Sequence, residues 1–275
     1  MLDARRNYLV KYNFRRFKME KHTIQTCAGV LREANNIVVL TGAGISTESG
    51  IKDFRSRSGI YKLAPEYILS LDYFYKHPKE FYQFAMGNLY HPHAAPNKGH
   101  EILAKWEKEG KVSQIITQNI DGLHQKAGSN RVIEFHGTMK KASCLNCGKS
   151  YPTEEMVHRL ETMVEFYVCN HCETKNKENR YIKPDVVLFG DSGEWFSADG
   201  FHTILNLIAQ ADCILVLGTS LKVTPFSTFP QYRRPGIPLL IVNQGDTPFD
   251  FAQDTHVIRD SIGKTLSQID VMIGN

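Results

Sequence analysis

Six short runs of mostly apolar residues, each followed at once by polar residues or glycine, set the strongest limit on how this chain can fold. The runs are Ile37–Leu40, Val112–Thr117, Arg131–Phe135, Val186–Phe189, Cys213–Leu217 and Leu239–Val242. Short aliphatic and β-branched runs of this kind are typical of strands buried on both faces of a parallel sheet. Helical stretches between them, such as residues 198–211, would supply the crossovers of a doubly wound α/β fold.

The polar residues after these runs are predicted to meet in one crevice, because ligands of an open parallel sheet bind beyond the carboxyl ends of its strands. These tails are Gly42–Ser46, Gln118–Asp121, His136-Gly137, Gly190-Asp191, Gly218–Ser220 and Asn243. Taken singly, each tail is explained equally well as a tight or solvated turn. A lone histidine such as His136 is more often a structural group than a catalyst. Their convergence is what favours a ligand site.

The first tail, Gly42–Gly44, has no side chain at two of its three positions, so its backbone amides could approach a phosphate group. Hydroxyl groups of Ser46, Thr47 and Ser49 follow directly. The dinucleotide-binding fingerprint of oxidoreductases fits poorly, since Thr47 stands where its third glycine would be. Residues 51–64 are rich in charge, serine and glycine without periodicity, which indicates a mobile lid over a ligand.

The composition favours a soluble globular protein of one or two domains, since 275 residues with 42% hydrophobic content can bury a sizeable core. A net charge of +4 does not require a nucleic-acid partner, and no apolar run approaches the roughly 18 residues of a membrane span. We expect a cytoplasmic protein without a membrane partner. Residues 1–19 are predicted to be a disordered basic arm, with a translation start at Met19 as an alternative.

Four of the six cysteines form two Cys-x-x-Cys pairs, which are Cys144 with Cys147 and Cys169 with Cys172. Two thiolate pairs at this spacing can close tetrahedrally on Zn²⁺, and four protein ligands leave no position for a substrate. The sequence therefore predicts one structural zinc ion in a reducing compartment rather than a disulfide framework. Cys27 and Cys213 lie in apolar surroundings and are expected to be buried packing residues.

Together and in this order, these motifs resemble those of the sirtuin family. They are Gly42–Ser46 with Ser49–Arg55, Thr117–Asp121, His136-Gly137, the four cysteines, Val187 with Phe189-Gly190, Gly218–Ser220 and Val242-Asn243. The resemblance is to the bacterial and archaeal type of deacetylase. It implies an NAD-dependent protein-lysine deacetylase with a Rossmann-like NAD-binding domain and a smaller inserted zinc-binding domain. The products would be free lysine, nicotinamide and an O-acyl ADP-ribose.

The resemblance also implies domain bounds. The Rossmann-like domain would comprise residues 20–53, 96–136 and 184–275. The small domain would consist of a cofactor loop with a helical part over residues 54–95 and a zinc-binding module over residues 137–183.

The resemblance further implies roles for single residues. Residues expected to contact NAD are Ala43, Thr47, Phe54, Arg55, Gln118, Asn119, Ile120, Asp121, His136, Gly218, Thr219, Ser220, Asn243 and Val257. Residues expected to bind the acyl-lysine substrate are Val187, Phe189, Gly190 and Val223. In catalysis, Asn119 and Asp121 would hold the nicotinamide carboxamide, and His136 would take a proton from a ribose hydroxyl. The protein or peptide substrate would add as a strand between the domains.

Three departures from the family pattern bear on these expectations. Lys52 stands where proline is usual, so the loop loses a backbone restraint. His256 stands where an acidic residue often lies near the adenine. Members that prefer acidic acyl groups carry Tyr-x-x-Arg, whereas this chain has Tyr82 followed by Ala85 in that spacing. Without the arginine, acetyl or another short uncharged acyl group is favoured.

Two other functions stay open from the sequence. In a mono-ADP-ribosyltransferase, the same cleavage of NAD would be followed by capture of the ribose by a protein side chain. In a nucleic-acid-binding protein that only senses NAD, the four-cysteine module and the basic arm would predict salt-sensitive binding without turnover.

Overall fold

The structure is a computed structural model that describes residues 23–56, 59–62, 65–172 and 180–274. The predicted basic arm, residues 1–19, lies outside the described residues. Within the described ranges, we find no helix with the length and apolar character needed to cross a bilayer.

Nine strands are formed by the described residues. They are β1 Ile37–Thr41, β2 Val112–Thr117, β3 Val132–Glu134, β4 Gly137–Cys144, β5 Ser150–Pro152, β6 Ile182–Val186, β7 Cys213–Leu217, β8 Leu239–Val242 and β9 Thr255–Ile258. Six of them pair in parallel in the order β3-β2-β1-β7-β8-β9. The order reverses between β1 and β7, and both strands are buried at every position. A ligand crevice is expected beyond the ends of these two strands.

Eight α-helices are described. They are α1 residues 23–33, α2 Leu71–Lys76, α3 Pro78–Asn88, α4 Lys98–Lys108, α5 Leu123–Lys126, α6 Thr153–Thr162, α7 Ala198–Gln210 and α8 Ile262–Ile273. Helix α4 begins at Lys98, because Asn97 caps it and accepts a hydrogen bond from the Gly99 amide.

Helices cover both faces of the parallel sheet, as the doubly wound prediction requires. Helices α1, α4 and α8 share one core cluster with Val39 of β1. Helix α7 and the 3₁₀ segment Phe226–Tyr232 share the opposite cluster with Val38 and Leu40. Successive strand residues point to opposite faces, so each strand contributes to both clusters. The predicted α/β fold class is therefore confirmed.

A second, three-stranded sheet has the order β5-β4-β6 and is antiparallel. Its core cluster joins side chains from α2, α3 and α6 with three of the four paired cysteines. We refer to this part of the chain as the small module. Its cluster includes Val186 and Leu188, which lie beyond the predicted module bound at residue 183.

The sequence predicts a strand of the parallel sheet at Val186–Phe189, and this prediction is wrong. The strand is Ile182–Val186, and it pairs with β4 in the small module. Ile182, Pro184 and Val186 are buried, while the residues between them are half-buried. This alternation is typical of an antiparallel strand with one face on a core. Residues 187–190 leave the strand and run along the cavity described below.

Candidate active site

A cavity of about 550 Å³ lies where the carboxyl ends of the parallel strands face the small module. The tails after β1, β2, β7 and β8 all reach it, as the predicted convergence requires. Predicted NAD and substrate residues that line it are Ala43, Thr47, Phe54, Arg55, Gln118, Asn119, Ile120, Asp121, His136, Val187, Phe189, Gly190, Gly218, Thr219, Ser220, Val223 and Asn243. Val257 does not line it. Its side chain lies within β9 and packs, partly buried, against the α7 face of the sheet.

The glycines of the first tail serve a different purpose from the one predicted. A Cβ at Gly44 would lie 2.7 Å from Gly218 Cα, and a Cβ at Gly42 would lie 2.7 Å from Thr219 Cβ. The Gly44 amide donates to the Gly218 carbonyl at 2.8 Å, so it is already engaged within the protein. The glycines therefore let the backbones of the loops after β1 and β7 pack directly against each other, at the place where the strand order reverses.

Ser46 joins the two polar residues that the sequence places in catalysis. Its hydroxyl accepts from Asn119 Nδ2 at 3.0 Å and donates to Asp121 Oδ2 at 2.7 Å. The other carboxylate oxygen of Asp121 accepts from the Leu123 amide at 2.9 Å. These bonds fix both side chains, and the Asn119 amide oxygen stays available as an acceptor.

His136 follows β3 and lies half-buried on the cavity wall. Burial lowers the pKa of His136 to about 4, and a hydrogen bond to the Gln118 backbone opposes this shift. The imidazole is therefore neutral near pH 7 and can accept a proton. Gln118 is itself fixed, because its side-chain oxygen accepts from the Thr219 hydroxyl at 2.8 Å.

The predicted lid carries its own contacts where the structure describes it. The Ile60 amide donates to the Asp53 carbonyl at 2.8 Å, and the rings of Phe54 and Tyr61 lie 5.4 Å apart. The Arg55 guanidinium lies over the Tyr61 ring at 5.1 Å and pairs with Glu66 at 3.1 Å. These contacts hold Phe54 and Arg55 on the cavity.

Residues 187–189 form one wall of the cavity. The Val187 amide donates to the His136 carbonyl at 2.9 Å. Phe189 exchanges backbone hydrogen bonds with Leu69 and Leu71, both at 2.9 Å, while its side chain is 41% exposed. The wall is thus attached to the His136 turn at one end and to the small module at the other.

Tyr82 and Ala85 do not line the cavity, so neither side chain faces the place where an acyl group would bind, and the acyl preference inferred from this pair stays a prediction. Both are fully buried in the core of the small module, and the Tyr82 hydroxyl donates to the Ile182 carbonyl at 2.9 Å. Helix α3 reaches the cavity at its end instead, with Asn88 and the following Leu89.

Comparison with known proteins identifies the family. A model of the Sir2 family matches residues 42–225, which is more than half of the chain. This chain belongs to the Sir2 family. The resemblance to the sirtuins is thereby confirmed.

One protein that is similar to this chain is the NAD-dependent protein deacetylase of Thermotoga maritima. It is 42% identical over 223 residues, which cover 80% of this chain and 87% of the relative. A solved Sir2 structure with a deacetylated p53 peptide and 3'-O-acetyl ADP-ribose has a TM-score of 0.80 at 38% identity, covering 90% of this chain and 96% of that one. A Sir2–p53 peptide–NAD⁺ structure has a TM-score of 0.78 at 36% identity, with the same coverage.

The four paired cysteines of this Sir2 chain lie together in the small module. Their Sγ atoms all lie within 4.8 Å of one another, with Cys144 to Cys172 at 3.3 Å and Cys147 to Cys169 at 3.9 Å. Four thiolates at about 2.3 Å from one ion would have separations of this size, so the cluster fits Zn²⁺. None of the four lines the cavity.

The Tyr151 hydroxyl lies 3.0 Å from Cys169 Sγ in the same cluster. Burial raises the pKa of Cys169, but this hydrogen bond and those from two backbone amides outweigh burial and lower the pKa to about 6. These hydrogen bonds therefore favour the thiolate form of Cys169, which is the form that binds metal. Cys27 and Cys213 are buried in the sheet core, as predicted.

The sequence does not predict the buried residues that support the cavity-lining side chains. The sequence predicts Ser46 only as a phosphate-facing hydroxyl, whereas it connects Asn119 with Asp121. No sequence pattern singles out His100 and His124, although both are fully buried and His124 is linked to the Asn119 amide through Thr41 and Thr117. Their contacts join separate elements, so no local pattern reports them.

Proposed function

We propose that this Sir2 chain is an NAD-dependent protein-lysine deacetylase. It transfers acetyl, or another short uncharged acyl group, from a lysine side chain to the ADP-ribose part of NAD and releases nicotinamide. The observation that carries the proposal is the grouping of the Ser46-linked Asn119 and Asp121 with a neutral His136 on one cavity. The printed names of the relatives support the same activity.

The arrangement of the cavity residues supports NAD as the ligand. Close packing of Gly44 on Gly218 brings the loops after β1 and β7 together at the cavity. The loop after β7 contributes Thr219 and Ser220 to the lining, and Asn243 follows β8. These loops would hold the adenosine half, and Gln118 would bond a ribose hydroxyl. NAD, when bound, supplies a ribose carbon whose bond to nicotinamide can be broken.

Asn119 and Asp121 would hold the nicotinamide carboxamide, a group with both a donor and an acceptor. Asn119 Nδ2 donates to Ser46, while the Asn119 amide oxygen accepts no side-chain hydrogen bond from the described residues and could accept from the carboxamide donor. Ile120 lies between the two residues on the cavity wall. The Ser46 bonds fix these side chains before the ligand arrives, which reduces the ordering cost of binding.

His136 would act as the general base. Its neutral imidazole can take a proton from a hydroxyl group of the ribose, which then becomes the nucleophile toward the acyl carbon. Phe54, packed on Tyr61, would keep water from the reacting centre. Val187, Phe189 and Val223 would line the channel of the acyl-lysine chain, while the substrate backbone pairs beside the wall of residues 187–189.

Cys144, Cys147, Cys169 and Cys172 would hold a structural Zn²⁺. The ion would cross-link the small module and supply no chemistry to the cavity. A reducing, cytoplasmic location would keep these thiols available for the metal.

The experiment is mass spectrometry of an acetyl-lysine peptide incubated with the protein, with and without NAD. The peptide should lose about 42 Da, the mass of the C₂H₂O by which an acetylated amine exceeds a free one, and O-acetyl ADP-ribose should form in equal amount. The matched control is the same peptide without the acetyl group. Release of nicotinamide with that control, together with ADP-ribosylated protein, would instead indicate an ADP-ribosyltransferase.

A further inference from the structure

Two buried histidines outside the cavity lining form a pair behind Asn119. His100 lies in α4 and His124 in α5, and both are almost completely shielded from solvent. Their ring centroids lie 4.9 Å apart, with the ring planes at 65°. The proposed mechanism gives neither ring a role.

The protonated nitrogen of each ring can be assigned from its partner. His100 Nδ1 accepts from the Asn97 amide at 3.3 Å, so the proton of the neutral ring is on Nε2. His124 Nε2 lies 3.0 Å from the hydroxyl oxygen of Thr41, whose own proton goes to Thr117 Oγ1 at 2.8 Å. The Thr41 oxygen must therefore accept, and His124 carries its proton on Nε2 and a lone pair on Nδ1.

The two remaining ring atoms are complementary. His100 Nε2 is a donor and His124 Nδ1 is an acceptor, and both are buried without a hydrogen-bond partner among the described residues. Buried polar atoms in native proteins are seldom left unpaired. The rings are in contact, with centroids 4.9 Å apart, but the structure does not show a hydrogen bond between these two atoms, so joining them requires a change in ring orientation.

We propose that His100 and His124 form one directed hydrogen-bond chain that runs from the N-terminal cap of α4 to Asn119 and positions it for NAD. The order of donation is Asn97 amide, His100, His124, Thr41 and Thr117. The Thr117 oxygen also accepts from the Asn119 amide at 3.0 Å, which is where the chain meets the cavity. The proposal rests on the proposed function, because Asn119 is the residue that it positions.

The electrostatic surroundings support neutral rings, which a directed chain requires. Burial lowers the pKa of His124 to about 3, and His100 contributes in the same direction. Burial also lowers the pKa of His100, while Asp121 and Glu48 oppose the shift. A protonated ring would present donors on both nitrogens, and one of them would face another donor.

Substitutions of His124 separate its two bonds. His124→Gln places an amide near the Nε2 position and keeps a donor for Thr41, whereas His124→Asn keeps only the Nδ1 side. His124→Asn loses the bond to Thr41 and His124→Gln loses the bond to His100, so each breaks the chain at one point, and we expect kcat/KM for NAD to fall about tenfold in both. KM for the peptide should be unchanged in both variants. Wild-type kcat/KM in either variant would overturn the positioning role.

Ser129→Ala is the matched control, since Ser129 is also buried next to α5 and its hydroxyl also lacks a partner among the described residues. It lies outside the chain and should leave kcat/KM unchanged. The double variant His100→Asn with His124→Gln should cost no more than the larger single effect, because both substitutions break the same bond. Additive losses would contradict the bond.

A direct test uses the full-length protein with ¹⁵N-labelled histidine. Long-range ¹H–¹⁵N NMR should show both His100 and His124 as neutral rings protonated at Nε2. A ring protonated at Nδ1, or a charged ring near neutral pH, would refute the chain. Because this measurement requires no turnover, it is independent of the deacetylase assay. Failure of the assay with wild-type protein would reject the proposed function. The tautomers measured by NMR would still show whether the hydrogen-bond chain exists.

Discussion

At the scale of single residues, Ser46 is the group on which the site geometry most depends. Its hydroxyl makes one hydrogen bond to Asn119 and one to Asp121. Ser46→Ala removes both, so we expect kcat/KM for NAD to fall by roughly ten- to hundredfold, at about 1 kcal/mol for each bond. Steady-state kinetics with NAD as the varied substrate measures this.

Ser267→Ala is the control for Ser46→Ala, because the Ser267 hydroxyl donates to a helix carbonyl of α8 and does not line the cavity. It should keep wild-type kinetics. A Ser46→Ala enzyme with wild-type kcat/KM would show that Asn119 and Asp121 keep their positions without the link.

His136 gives a prediction for pH dependence. A general base works in its neutral form, so its activity is present above its pKa and is lost as pH falls through that value. Burial lowers the pKa of His136 to about 4. The acidic limb of kcat/KM should therefore lie near pH 4, rather than near the ordinary histidine value of about 6.5.

The test of this pH dependence is a kcat/KM profile for NAD from acid to neutral pH, with unfolding monitored at each point. His136→Ala should abolish deacetylation while leaving NAD binding largely intact. A limb near the ordinary histidine pKa would show that the buried environment of His136 is not that of the working enzyme. Normal turnover in His136→Ala would remove His136 from the mechanism.

At the scale of elements, the contact between the loops after β1 and β7 depends on Gly218. Its φ is +62°, and a Cβ there would lie 2.3 Å from the Ile45 amide nitrogen. We expect Gly218→Ala to lower the free energy of unfolding by about 2 kcal/mol or more and to weaken NAD binding, because the loops must separate.

Gly236→Ala provides the matched comparison, since Gly236 has a φ of +79° but, apart from its chain neighbours, no atom of the described residues lies within 4 Å of the place that an added Cβ would take. It should lose only the conformational part, about 1 kcal/mol. Urea unfolding and NAD titration of both variants measure the difference. Equal destabilisation would show that backbone conformation, and not loop contact, decides the role of Gly218.

The elements that the sequence predicts well are those whose burial is complete. Strands β1 and β7 are apolar at nearly every position and are buried throughout, so their runs are unambiguous. Edge strand β9 is half-buried at three of its four positions and has no such run. Helix α8 has a usable signal in the spacing of Ile262, Leu266 and Ile269 after Ser261, which caps it.

The candidate site shows the same limit. The sequence predicts which tails meet, because parallel strands end at one edge of the sheet. It does not predict the Ser46 link or the pairing of His100 with His124, because these contacts form between elements that only tertiary packing brings together. The family motif that singles out Tyr82 does not indicate its surroundings either, since its hydroxyl donates to a β6 carbonyl in the core.

At the scale of the whole molecule, stability is divided between the parallel sheet and the small module. The sheet has core clusters on both faces. The small module has a cluster of its own, into which Cys144, Cys169 and Cys172 are built. If the four cysteines hold Zn²⁺ as proposed, its loss would leave four thiolates close together without their shared cation, so it should destabilise this module first.

We therefore expect chelation of zinc, or Cys144→Ser, to increase amide hydrogen exchange in β4, β5 and α6 while β1 and β7 remain protected. Deacetylation should be lost as well, because the wall at Phe189 is hydrogen-bonded to Leu69 and Leu71 of the small module. Cys27→Ser is the control, since Cys27 packs in the sheet core and should affect the sheet rather than the module. Hydrogen exchange with mass spectrometry, together with metal analysis, distinguishes the two patterns. A metal-free protein with full activity and a protected small module would reject a structural zinc, because the cross-link would then be unnecessary for holding the cavity wall.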